Sequence, residues 1–182
     1  MRLEPRFREL GFELPGIRVT CGFPSGRALN GSKSQTIGQC WPGHASKDGT
    51  VEVMVSPVRD EPMKVLGILA HELVHAAVGC EHGHKGPFQK LAKAIGLTGR
   101  MTATEEGPDF VKLAEPIIAE LGEYPHAALN ASARKKQGTR MLKAECDGEG
   151  EGCGYTVRIT RKWVDEVGPP LCPIHGEMKV YE

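Results

Sequence analysis

The sequence has no surplus of either charge. Its 23 Lys and Arg residues offset 23 Asp and Glu, so the formal net charge at pH 7 is zero. A chain with no global field is not drawn as a whole to nucleic acid or to a membrane surface, and any such affinity must come from a local patch. Nowhere is there an apolar run long enough to span a bilayer. The opening "MRLEPRFRELGFELPG" alternates charged with apolar residues and lacks the apolar h-region of a secretory signal, so the expected location is the cytoplasm, with no membrane partner. Internal repeats and low-complexity tracts are also missing. Disorder is disfavoured by a hydrophobic content of 40% against 25% charged residues.

What is present begins with length: 182 residues suffice for one ordinary domain and a small appendage. Leu3, Phe7, Leu10 and Leu14 recur at helical spacing, a weak amphipathic helix. "IRVTCGF" (17–23), "TIGQCW" (36–41) and "VEVMVSP" (51–57) read as strands, most simply an antiparallel meander, with "VEVMVSP" a candidate edge. The period then changes. Pro62 suits the first turn of a helix over 63–78 that carries Val65, Leu66, Leu69, Leu73 and Ala76 on one face and stops at Gly79. Further helices are expected over 87–95 and 108–122, the latter kinked or split by Pro116. The segment 125–140 loses periodicity and gains basic residues, as a linker would, and short strands follow in "RMLKAEC" and "YTVRITRKW".

Four of the seven histidines lie in "HELVHAAVGCEHGHKGPF", residues 71–88. His71 and His75 stand four apart on the predicted helix, so their imidazoles share a face and can ligate one tetrahedral zinc ion. Glu72 points about 100° away. There it can flank the metal as general acid/base, accepting a proton from a zinc-activated water and delivering it to a leaving amine. Three adjacent polar groups in an otherwise apolar helix are costly unless a partner satisfies them.

The third ligand is less direct. A metzincin spacing requires Gly at position 78 and His at 81, whereas the chain has Val78 and Glu81, with Gly79 and His82 one place late. A thermolysin-like arrangement would draw on Glu105 or Glu106, in the turn-like "TGRMTATEEGPD". His84 stands just before the helix expected from Pro87, whose start Phe88 would pin into the core, and His82 is the remaining neighbour.

A second cluster lies near the end of the chain. "CPIHG" places Cys172 and His175 at knuckle spacing with Gly176 after the last ligand, and Cys146 and Cys153 frame the acidic loop "DGEGEG". In a chain with no export signal, clustered Cys and His indicate a metal before a disulfide. A segment of about 40 residues also needs a staple to fold. Cys146, Cys153, Cys172 and His175 are therefore expected to hold a structural zinc in a zinc ribbon. Arg134, Lys135, Lys136, Arg140 and Lys143, with Arg158, Arg161, Lys162 and Trp163, form either a solvated surface or a track for nucleic acid. Cys21 and Cys40 are expected to be buried thiols and Cys80 to be helix-end packing.

"HELVHAA", a short loop and "GHKGPFQKLAKAIGL" resemble the SprT-like zinc metalloproteases, which include the Spartan proteases. The strands "IRVTCGF", "IGQCW" and "VEVMVS" and the terminal Cys/His cluster extend the resemblance over most of the chain from about residue 17, less clearly over 100–135. In that family a His-Gly-Pro-Glu-Phe type sequence supplies the third zinc ligand. Here Lys85 stands between His84 and Gly86, but the interval from His84 to Phe88 is kept. The resemblance thus implies His84 beside His71 and His75, and protein substrates on or near DNA, such as DNA–protein crosslinks. The expected architecture is α+β. A zincin-like protease domain over 1–124 would carry a three-stranded antiparallel sheet on the motif helix, followed by a linker (125–140) and a zinc ribbon (141–182). Two zinc ions, one catalytic and one structural, are implied. The rival expectation is a nucleic-acid- or partner-binding protein in which both zinc sites are structural.

Overall fold

A computed structural model of the chain describes residues 1–24, 35–133, 141–148 and 153–181. It is a mixed α and β protein that divides into two compact units, Met1–Arg134 and Lys135–Glu182.

The first unit opens with α1 (Glu4–Glu9); its Phe7, and Leu3 just before it at the N-cap, are buried in the main core. Three strands follow: β1 (Ile17–Cys21), β2 (Gly38–Trp41) and β3 (Val51–Val55). They form one sheet in the order β1-β3-β2, but not the antiparallel meander expected: β2 runs antiparallel to β3, and β1 runs parallel to it. The reason lies in which strand has most to bury. Val51, Val53 and Val55 are buried in strict alternation, whereas four of the five residues of β1 are exposed. The valine strand takes the centre, the slot between β1 and β2. "VEVMVSP" is accordingly no edge; among the described residues the edges are β1 and β2.

Helix α2 (Pro62–Val78) starts with Pro62 in its first turn and ends at Gly79, whose φ of 97° suits glycine and few other residues. It is covered on several sides, which is why its apolar positions run beyond one stripe. The sheet side takes Val65 and Ile68, beside Val55. Ala70, Leu73 and Val74 join the main core with Phe88, Leu91, Ala92 and Ile95 from α3 (Pro87–Ala94) and its end. A hairpin of β4 (Leu97–Arg100) and β5 (Ala103–Glu106) occupies the stretch read from sequence as turn-like. Helix α4 (Pro108–Leu121) then continues through Pro116, held in the core by Phe110, Ala114 and Ile117.

In the second unit β6 (Met141–Glu145) is the middle strand, flanked antiparallel by β7 (Thr156–Thr160) and the last strand. The strand expected over "YTVRITRKW" stops at Thr160, where α5 (Arg161–Val167) begins. The pair β8 (Leu171–Cys172) and β9 (Gly176–Glu177) precedes β10 (Lys179–Tyr181). Of the basic residues singled out ahead of Met141, Arg134, Lys135, Lys136 and Arg140 lie outside the described residues. Among the described residues no helix is long and apolar enough to cross a membrane.

Candidate metal centre

His71 and His75 leave α2 on one face, and the chain then returns a third imidazole to them. After Gly79 a short 3-10 turn (Cys80–His82) leads to Gly83, with φ 52° and ψ −131°, and Gly86 follows with φ 51° and ψ −113°. Both conformations are nearly closed to residues with a Cβ. They bracket His84 and Lys85 and reverse the chain into α3, whose Phe88 is fully buried. The Phe88 ring centroid lies 4.9, 4.3 and 5.0 Å from those of His71, His75 and His84, so one aromatic ring supports all three imidazoles. The inserted Lys85 is absorbed in the turn, where its carbonyl accepts the Phe88 N–H at 3.2 Å.

The three Nε2 atoms converge. His84 Nε2 is 3.1 Å from His71 Nε2 and 3.3 Å from His75 Nε2. Tetrahedral ligation at ordinary zinc–nitrogen distances separates nitrogens by about 3.3 Å. Hydrogen bonding satisfies this cluster only in part, because His84 Nε2 has one proton or one lone pair to share between two neighbours. A cation accepts all three lone pairs together. Burial, followed by repulsion from the other imidazoles, lowers the pKa of His71 to about 3 and that of His75 to about 4, and burial lowers that of His84 as well. At neutral pH all three are uncharged, the form in which imidazole binds metal. The residues present therefore fit a zinc ion.

Glu72 is only 5% exposed, and burial raises its pKa to about 8. Its carboxylate lies against the backbone of β2 at Gly38. A Cβ at Gly38 would overlap Glu72 Oε1 and sit 2.8 Å from Ile68 Cγ2. Glycine is needed here for space, since its φ is not positive. Gly38→Ala is expected to destabilise the first unit by about 1–3 kcal/mol through overpacking. Gly16→Ala, where an added Cβ meets nothing within 4 Å, should be neutral. Urea unfolding of the two variants tests the difference. Gly38, Gln39 and Cys40 of β2, Gly67, Ile68 and the His/Glu cluster of α2, and Ala103 and Thr104 of β5 line a cleft of about 580 Å³.

The other candidates from sequence fall elsewhere. Glu106 is paired with Lys64 and packs against Gly67, and neither it nor Glu105 joins the metal-compatible group. His82, half exposed, does not join it either. The strand carrying those glutamates contributes a residue that sequence reasoning missed: Thr104 Oγ1 lies 2.9 Å from His71 Nδ1. Cys21 is exposed, not buried. Cys40 and Cys80 bring their sulfurs to 3.5 Å at the cleft, and burial raises the pKa of both thiols.

In the second unit the four expected ligands are together. Cys146 Sγ is 3.4 Å and Cys172 Sγ 3.8 Å from His175 Nδ1, and Cys153 Sγ is 3.6 Å from Cys172 Sγ. Tetrahedral Cys/His zinc sites require about 3.5 Å between sulfur and nitrogen and about 3.8 Å between sulfurs. Gly154 and Gly176, with φ of 71° and 80°, follow Cys153 and His175 and turn the chain away from the cluster. Backbone N–H groups of Ile174 and His175 lower the Cys172 pKa to about 6, favouring the thiolate that binds metal. Gly148 packs beneath His175, where a Cβ would lie 2.8 Å from the ring. Both groups are compatible with zinc.

Comparisons of the chain with protein-family models, curated proteins and solved structures return no match.

Proposed function

We propose that the first unit is a zinc-dependent endopeptidase of the SprT-like kind, with a zincin-like arrangement, and that the second is a zinc ribbon. The observation that carries this reading is the convergence of three imidazole Nε2 atoms beside a buried carboxylate one position along the same helix. A zinc ion held there supplies Lewis acidity, polarising a carbonyl oxygen and lowering the pKa of a water toward ~7. His71, His75 and His84 each give one lone pair to the ion. Glu72 takes a proton from the water as its oxygen bonds to the scissile carbonyl carbon. It then passes that proton to the amide nitrogen as the C–N bond breaks. Burial raises the Glu72 pKa and so suits delivery of the proton to the amine, while the positive charge of a bound ion would favour the ionised form that accepts it. Among the described residues β2 pairs only with β3, and its Gly38, Gln39 and Cys40 line the cleft, so an extended peptide adding to its other edge would lie beside the three histidines.

The resemblance adds DNA-associated proteins as substrates. On the second unit's sheet, Tyr181, Lys143 and Arg158 stand in register across β10, β6 and β7 and so share a face. The Lys143 and Lys179 ammonium groups lie 6.0 and 5.6 Å from the Tyr181 ring centroid. An aromatic among cations suits a nucleic-acid strand, and this row also favours the second reading, a nucleic-acid-binding protein with two structural zinc sites.

Incubating the zinc-loaded chain with an unfolded polypeptide, with and without single-stranded DNA, separates the two. The protease reading expects internal peptide-bond cleavage that a chelator abolishes and zinc restores. His84→Ala should abolish cleavage too, with zinc falling from two ions per chain to one. Two bound zinc ions with no cleavage in either condition would leave the binding protein standing and the protease rejected.

A further inference from the structure

The sequence offered Glu105 and Glu106 as metal ligands, and the strand that carries them does reach the site, but through Thr104. In β5, Thr104 and Glu106 are two residues apart and project to the same face. That face meets a stripe of α2 formed by Lys64, Gly67 and His71, spaced three and then four residues apart. Glu106 pairs with Lys64 and fills the space left by the missing Cβ of Gly67. The hairpin is anchored further by the Gly107 N–H, which donates to the Gly96 carbonyl at 3.1 Å. The clamp sets Thr104 Oγ1 at 2.9 Å from His71 Nδ1, the ring nitrogen that faces away from His75 and His84.

We propose that Thr104 is a positioning residue for the metal, fixing the tautomer and ring orientation of His71; this rests on the reading that His71, His75 and His84 hold zinc. For Nε2 to present a lone pair to the ion, the imidazole proton must sit on Nδ1. The Thr104 hydroxyl is then the acceptor of that N–H. With its partner on a clamped hairpin, the His71 ring cannot rotate about its Cβ–Cγ bond without giving up the bond. Outer partners of this kind typically govern metal affinity by 10–100-fold. Thr104 is uncharged, so it directs the ring without adding a negative charge to the site.

The test uses the full chain and competition for zinc against a chromophoric chelator. Thr104→Val keeps the side-chain shape and removes the acceptor. It is expected to weaken zinc at the histidine site about 10–100-fold, leaving the Cys/His site of the second unit at its wild-type affinity. Thr104→Ser retains the hydroxyl and should bind within a few-fold of wild type. In the zinc-loaded chain, the ¹⁵N-attached proton on His71 Nδ1 should exchange slowly in wild type and Thr104→Ser, and quickly in Thr104→Val. Wild-type affinity in Thr104→Val overturns the proposal while the metal site itself stands. So does an equal loss in the valine and serine variants, which would assign the effect to packing. If His84→Ala leaves the zinc content of the chain unchanged, the histidine site is not a zinc site, and the proposal falls with it.

Discussion

Glu72→Gln is expected to lower peptide-bond cleavage by about 10²–10⁴-fold, the usual contribution of a general acid–base group, while both zinc sites stay filled. The amide has the size of the carboxylate and keeps one carbonyl oxygen, so the contact with Gly38 and Ile68 is preserved. What it loses is the ability to accept a proton. Because the amide matches the carboxylate in size and shape at this close contact, it costs the fold little, and unfolding by urea should be close to wild type. The measurement is cleavage of an unfolded polypeptide alongside zinc content and urea midpoint for the same preparations. Cleavage within a few-fold of wild type would remove Glu72 from the chemistry.

Cys172→Ser is expected to unfold the second unit and leave the first intact. Among the described residues the buried members of the second unit's core are Ala144, Cys146, Cys172 and Met178, so two of these four are also proposed zinc ligands. Val157, Ile159 and Val180 pack against this cluster but are only partly buried. So little apolar burial does not offset the entropy of ordering a unit of this size. A structural zinc contributes on the order of 10–16 kcal/mol in small zinc domains, enough to decide whether the unit folds. Hydrogen exchange should show the β6, β7 and β10 amides losing protection in the variant, while α2 and β3 keep theirs. Zinc at the histidine site and cleavage of an unfolded polypeptide should both persist. Protected β6 and β7 amides in the variant would mean that metal does not hold this unit together.

These elements differ in how plainly they stood in the sequence, and the difference is one of range. Helix α2 was legible because Pro62, Gly79 and its apolar positions are local signals. A third imidazole near His71 and His75 was legible because His82 and His84 follow in the same short segment, but the choice of His84 came from the resemblance and not from the spacing. Cys172 and His175 were marked by their spacing and by Gly176. Strand order was not legible: β1 pairs with β3 across a long separation, and only the relative burial of the two strands places the valines at the centre. The β4–β5 hairpin was missed because its strands are four residues each and mostly exposed, leaving no alternation to read. Thr104 has no sequence signal at all. A threonine becomes notable only when a histidine 33 residues away is found against it.

The same contrast of range bears on how the chain would come to hold an ion at the three histidines. His71 and His84 are 13 residues apart, and the intervening chain is largely the end of α2 and one turn, so bringing their nitrogens together closes a short loop at low entropic cost. The Glu72 carboxylate, by contrast, gains its enclosing wall at Gly38 only when β2 docks, and β2 is held by its pairing with β3. A nascent or partly opened chain on which the sheet has detached would retain the means to bind zinc while Glu72 stood in water. On the proposed reading, zinc retention therefore reports on the helical half of the first unit, and proteolytic competence reports on the docking of β2.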